Sequence, residues 1–404
     1  MLAPEYIDHI PDRVLVLYQD LEDRIIKDMA RRISLSGEVI PTTDWQLWKL
    51  QQMGEEREYI QQELAKLTGQ TQKEMERLFE EAGEEALSFD DSIYRAAGLS
   101  PTRLMESRTL KNVILSGIRR TNNLFFNLTA TTANTATKQF ESVLDNAWLD
   151  VTSGAFSYQN AITSAVKSLS GTGIDAIVYP SGHTDKIDVA VRRAVLTGVN
   201  QTAGELSYTR AEEMGCDLVE TTAHMGARLS HTYWQGRVFS RSGKSTKYPD
   251  FISETGYGTG PGLCGWNCRH SFYPFFEGIS ERMYTQKQLA DYNKKDVTYN
   301  GEKMTQYDAS QKQRYIERNI RKWKREYIGL DAAGLDTTQA SVYLSRWNQT
   351  MSDILEQTGR KKDCARTKLV GFGRGEASKA TAQARKELIK QQERDIIKEI
   401  VPSQ

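Results

Sequence analysis

Nine prolines in 404 residues leave most of this chain with nothing to interrupt a helix. That is about 2%, against a usual ~5%. Because proline removes a backbone donor and clashes with the preceding turn, its scarcity favours long helices over an all-β sandwich. The first strong helix is predicted after Pro11, where Val14, Leu17, Tyr18, Leu21, Ile25, Met29 and Ile33 form one apolar stripe with Asp20, Glu22, Asp23, Lys27 and Asp28 mostly off it. Gly37 and Pro41 are expected to end it, with Thr43 or Asp44 capping a second segment, Trp45 to Met53. The spacing Thr71-Gln72-Lys73-Glu74 is that of a capping box and predicts a third helix through Met75, Leu78, Phe79 and Ala82. After Ser100-Pro101, Leu104 to Ile118 reads as helix, whereas the small and β-branched run Asn127 to Thr137 is a poor autonomous helix and stays unassigned. Turns at Gly171–Gly173 and Tyr179–Gly182 bracket a short apolar piece. Ile187 to Leu206 then carries a narrow stripe of small residues that would let another helix approach closely. The texture turns β-prone at 217–224 and rich in glycine and aromatics as far as Pro274, before helix returns at about Asp308 and again from Ser378 to Ile400.

The 53 basic and 53 acidic residues cancel in sum but not in place. Residues 1–100 carry 11 Lys/Arg against 21 Asp/Glu, and residues 281–404 carry 25 against 17. Neutrality at face value argues against a polyanionic partner; the gradient says instead that the two ends meet different surfaces or pair with each other. Four consecutive regions follow: an acidic helical 1–100, a helical connecting 101–184, an α+β module at 185–280 and a basic helical 281–404. The four cysteines are too few for a disulfide framework, and reduced cytosolic synthesis is expected. No run approaches the ~18–20 apolar residues of a membrane span, so no membrane partner is expected.

Ser242-Gly243-Lys244-Ser245-Thr246 suggests a phosphate loop, but Val238 stands where that pattern needs its first glycine and Tyr248-Pro249 interrupts any following helix. The glycines between 256 and 265 lack the strand and helix of a dinucleotide site. Cys264-x3-Cys268-x-His270, with His224, His231 and Cys216 upstream, is the best metal candidate, yet zinc thiolate pairs favour other spacings and no second pair exists. Buried thiols beside Trp266 and Phe272 are the favoured reading, with no metal and no cofactor. His224, Arg228, His231 and Cys268 can also be drawn as a nucleophile with a base and an oxyanion donor, a metal-dependent or Cys/His hydrolase. No hydrolase motif supports that alternative, and no enzyme activity is expected. From Gln311 to Arg325, Lys312, Arg314, Arg318, Arg321, Lys322, Lys324 and Arg325 make one basic helix able to neutralise several phosphates, with Tyr315, Trp323 and Tyr327 as stacking surface.

Seven motifs in order carry a family resemblance. They are Asn127–Ala133, Tyr179–Gly182, Ala190–Asn200, Ala223–Arg228, His231–Gly236, Gly265-Trp266-Asn267-Cys268-Arg269-His270 and Gln311–Arg318. Together they closely resemble the phage minor capsid protein 2 family of tailed bacteriophages and prophages. Residues 185–275 are more loosely similar to the MuF-like head morphogenesis domain, through Arg228-Leu-Ser-His231, Gly236 and Asn267-Cys268-Arg269; His270 departs from that pattern, where a second cysteine often stands. The resemblance implies a mainly α fold with a small α+β, MuF-like module in a multi-module, elongated architecture. Arg228, His231, Trp234, Gln235, Gly236, Gly265, Trp266, Cys268, Arg269 and His270 would be that module's framework. It implies a virion component made in the host cytoplasm and placed in the capsid interior or at the portal vertex. Expected partners are the portal protein and other head proteins, with packaged double-stranded DNA and further copies of the chain as additional candidates.

Overall fold

The structure, a computed structural model, describes residues 1–36, 42–179 and 181–400, without the side chains of 42–44 and 395–400. A short helix α1 (Pro4–His9) precedes α2 (Asp12–Ser34), on which the predicted stripe buries Val14, Tyr18, Leu21, Ile25, Met29 and Ile33. Gly37 and Pro41 lie outside the described residues, as do the side chains of Thr43 and Asp44.

Helix α3 (Thr42–Ala96) runs 55 residues without a break, which corrects the expectation of two helices with a cap at Thr71. Leu64, Leu67, Thr71, Met75 and Leu78 are all buried along it, so Thr71 sits inside a continuing stripe, its hydroxyl without a partner among the described residues. Burial of that stripe outweighs the local capping signal. After a 3₁₀ turn at Leu104–Glu106, α4 (Arg108–Thr152) continues straight through the unassigned run. There the hydroxyls of Thr131, Thr132, Thr135 and Thr137 donate to carbonyls three or four residues earlier. The groups that would compete for the backbone are thereby absorbed into the helix.

Ser157 caps α5 (Tyr158–Thr172), and strands β1 (Asp175–Val178) and β2 (Thr184–Lys186) pair antiparallel across a turn whose Pro180 is outside the described residues. Helix α6 (Ile187–Glu213) meets α4 closely, as its small residues predict. A Cβ on Gly198 would overlap the Thr121 hydroxyl, and one on Gly117 the Thr202 hydroxyl. Three strands, β3 (Leu218–Thr221), β4 (Val238–Ser240) and, beyond the short helix α7 (Phe251–Thr255), β5 (Phe272–Pro274), form an antiparallel sheet in the order β4-β3-β5. Val219, Trp234, Phe239, Phe251, Leu263, Cys264 and Phe272 fill its core. Helix α8 (Gln286–Asp291), a hairpin of β6 (Val297–Tyr299) and β7 (Glu302–Met304), and helices α9 (Gln306–Ala332), α10 (Thr338–Thr358), α11 (Cys364–Thr367) and α12 (Arg374–Ile400) complete a mainly helical chain with small sheets. No helix among the described residues is long and apolar enough to cross a membrane.

The chain divides into two compact units, each built from three separated segments: unit 1 from 1–15, 68–127 and 188–310, unit 2 from 16–67, 128–187 and 311–404. These boundaries are not those of the four consecutive regions set out from the sequence.

Candidate functional site

In unit 1, two segments converge beside the β4-β3-β5 sheet. The first is the 3₁₀ turn Leu229–His231 with the following Trp234-Gln235-Gly236; the second is the loop from Gly256 to His270 that leads into β5. The second loop is tightly wound. A Cβ on Gly265 would overlap the Gly260 carbonyl, the Trp266 N–H donates to that carbonyl at 2.6 Å, and Cys264 and Asn267 both take positive φ. From α6, buried Asn200 donates to the carbonyls of Cys268 (3.0 Å) and His270 (3.1 Å), fixing the end of the loop.

His231, Cys268 and His270, all buried, are brought together there. His231 Nδ1 lies 3.4 Å from His270 Nδ1, and Cys268 Sγ lies 3.8 Å from the first and 3.6 Å from the second. The outer ring nitrogens face oxygens: His231 Nε2 meets the Pro261 carbonyl at 2.9 Å, and His270 Nε2 meets Gln235 Oε1 at 3.1 Å. Gln235 Oε1 also accepts from the His224 N–H. That oxygen is therefore an acceptor on two sides, and each imidazole carries its proton on Nε2. Trp234 packs both rings, with centroids 4.6 Å from His231 and 4.8 Å from His270.

The other predicted framework residues surround this cluster. Arg228 donates to the Trp266 carbonyl at 2.6 Å, Arg269 pairs with Asp8 at 3.6 Å, and Gly236 turns the chain in the left-handed region (φ 64°). Trp266 itself is 59% exposed, which corrects its expected place beside the buried thiols; Trp234 has that role. Cys216 lies in a separate core with Tyr94 and Ala211, and His224 turns its Nδ1 to the Met225 carbonyl. Cys264 directs its thiol to the His270 carbonyl. The positioning residue that sequence reasoning missed is Asn200, a buried polar side chain on the side of α6 away from its small-residue stripe, where no periodic pattern marks it.

The chemistry of this cluster is not that of an activated nucleophile. Burial pushes the Cys268 thiol up, the reverse of the depressed value a reactive cysteine needs. Burial likewise holds His231 and His270 below their usual range, and His224 at about 4. What the arrangement offers is two neutral imidazole nitrogens and one sulfur within 4.8 Å of one another, a donor set suited to a metal ion.

In unit 2, the basic helix α9 divides by face. Lys312, Arg318 and Lys322 are exposed and Arg314 and Arg321 half-buried. Arg325 is buried 3.8 Å from Glu22, with its Nε 3.4 Å from the Ser170 carbonyl, so it cannot reach a phosphate as expected. Lys324 donates to the Thr367 carbonyl at 2.6 Å, and burial pushes its ammonium down to about 8. The expected stacking surface is largely used internally. Trp323 lies flat on Tyr343 at 4.3 Å, and Tyr327 is buried against Phe372. Tyr315, half exposed, meets Trp347 edge-on.

The family model described as phage minor capsid protein 2 matches residues 2–356. Among curated proteins, the chain is similar to a structural protein of Lactococcus phage LL-H, 28% identical over 221 residues that cover 53% of this chain and 56% of the relative. It is also similar to a structural protein of Lactococcus phage mv4, 36% identical over 113 residues that cover 28% of this chain and 82% of the relative. The chain spans little more than half the length of the first of these relatives. No solved structure matches it.

Proposed function

The chain belongs to the phage minor capsid protein 2 family, and from that premise we propose that it is a non-enzymatic head component of the virion. On this reading it is bound to the portal protein, acts in head assembly, and contacts packaged DNA during packaging or ejection. The match over residues 2–356 carries the reading. Two features of the molecule support it. The Cys/His cluster is buried inside unit 1 rather than open to a substrate, and Lys312, Arg318 and Lys322 are exposed on α9, where cations can meet phosphates.

The test is co-purification. Heads assembled in host cells that express the phage's portal and head genes with this chain are purified and analysed by mass spectrometry. The chain is expected in heads and in portal complexes isolated from them; its absence from both overturns the reading. The DNA contact is tested on the full chain, because in residues 281–404 alone the 311–404 segment would lack the 16–67 and 128–187 segments of its unit, and 281–310 belongs to the other unit. Replacing Lys312, Arg318 and Lys322 by alanine should flatten the slope of log affinity against log salt by about 0.9 for each phosphate left without its cation. A wild-type chain that fails to bind DNA at low salt removes that part of the proposal.

A further inference from the structure

We propose that His231 Nδ1, His270 Nδ1 and Cys268 Sγ are three corners of a tetrahedral binding site for a zinc-class divalent cation. Geometry carries this first. Zinc–nitrogen bonds of about 2.0–2.1 Å and zinc–sulfur bonds of about 2.3 Å, set at tetrahedral angles, require edges of about 3.3–3.4 Å between two nitrogens and about 3.6 Å between nitrogen and sulfur. The three edges here are 3.4, 3.6 and 3.8 Å. A cation can therefore enter with shifts of a few tenths of an ångström and no change of backbone.

Protonation carries it second. Because the Pro261 carbonyl and Gln235 Oε1 hold both Nε2–H groups, both Nδ1 atoms present lone pairs to each other inside the protein. The single thiol proton of Cys268 can satisfy one of them, and the other is left as a buried acceptor costing about 1–3 kcal/mol. A divalent cation removes that cost. It takes both lone pairs and the thiolate, and the thiol proton leaves to solvent. The oxygens behind the two rings are the outer-shell partners that orient metal-binding histidines.

The sequence set of Cys264, Cys268 and His270 with His224, His231 and Cys216 contains all three ligands, which come from two loops, His231 from one and Cys268-x-His270 from the other. Cys264, which the spacing had suggested, stands outside the group. The inference is independent of the virion reading.

The test uses the purified full chain. Elemental analysis after growth with zinc is expected to find about one zinc per chain. Cobalt exchanged into the site should give a thiolate-to-cobalt charge-transfer band that Cys268→Ser abolishes and Cys264→Ser retains. Since Cys268→Ser could fail to fold, the wild-type chain gives a second readout: chelation should lower its Tm and added zinc should restore it. A wild-type chain without stoichiometric metal, whose Tm moves with neither chelator nor zinc, overturns the proposal. So does a cobalt band undiminished in a folded Cys268→Ser.

Discussion

The Cys268 cluster of unit 1 and helix α9 of unit 2 both gather ionisable side chains, and they dispose of them in opposite ways. Around Cys268 the histidines are neutral, and carbonyl and amide oxygens fix which nitrogen holds each proton. On α9 the basic side chains divide by face: Arg325 goes inward to Glu22, while Lys312, Arg318 and Lys322 are exposed. A neutral polar group can be buried when its hydrogen bonds are made, whereas a buried charge needs a counter-charge. A row of cations in a sequence is therefore not yet a surface, and a scatter of histidines is not yet a solvated one.

The contrast is broken most severely at Arg325. Arg325→Ala leaves Glu22 buried without its partner and should cost about 3–5 kcal/mol in denaturant unfolding of the full chain. Adding Glu22→Gln should recover part of that loss.

The second effect is a dependence on pH whose sign at Asp23 and Glu56 is opposite to that at His224. In unit 2, burial pushes the carboxyls of Asp23 and Glu56 up to about 7. Their contribution is complete below the ordinary carboxylate range and is lost as pH rises through about 7, on the order of a few kcal/mol. Asp23→Asn with Glu56→Gln should flatten unfolding free energies measured between pH 4 and 8. In unit 1, His224 is held at about 4, below its usual 6.5, so its contribution is present above 6.5 and lost as pH falls through 4. His224→Gln should remove that acid-side loss.

Two glycines in long helices give a smaller pair of effects. Gly117→Ala should destabilise by about 1–3 kcal/mol, because its methyl would drive α4 off Thr202 of α6. Gly54→Ala in α3 meets open space and should stabilise by about 0.8–1 kcal/mol. Thermal unfolding of both variants measures the two signs side by side. Last and smallest, Lys312→Ala, Arg318→Ala and Lys322→Ala should each change folding stability by no more than about 0.5 kcal/mol, whatever they do to DNA binding.

Long-period patterns were legible in the sequence and local exceptions were not. The stripes of α2 and α6 repeat over five turns or more, so each residue corroborates the next, and both helices stand where the stripes place them. The capping box at Thr71 rests on four residues, and a stripe buried on both sides of it overrides so short a signal. Asn127 to Thr137 failed for the opposite reason. Propensity describes a helix alone in water, while Thr132 and Ala136 are buried and the threonine hydroxyls bond within the helix. At the site, the residue types were visible in the motifs His231–Gly236 and Gly265–His270, but the convergence was not. It depends on a 3₁₀ turn and a wound loop that share no periodicity, and on Asn200, which arrives from a helix.

The interleaving of the two units sets an order for their completion on the ribosome. Every segment of unit 1 has been synthesised once residue 310 emerges, whereas unit 2 must hold 16–67 and 128–187 in waiting until the residues from 311 onward arrive. During that interval Glu22 has no Arg325, and the Gly371 N–H that Asp23 accepts has not been made. Translation stopped between these points would release a chain that holds every segment of the first unit and lacks the last segment of the second.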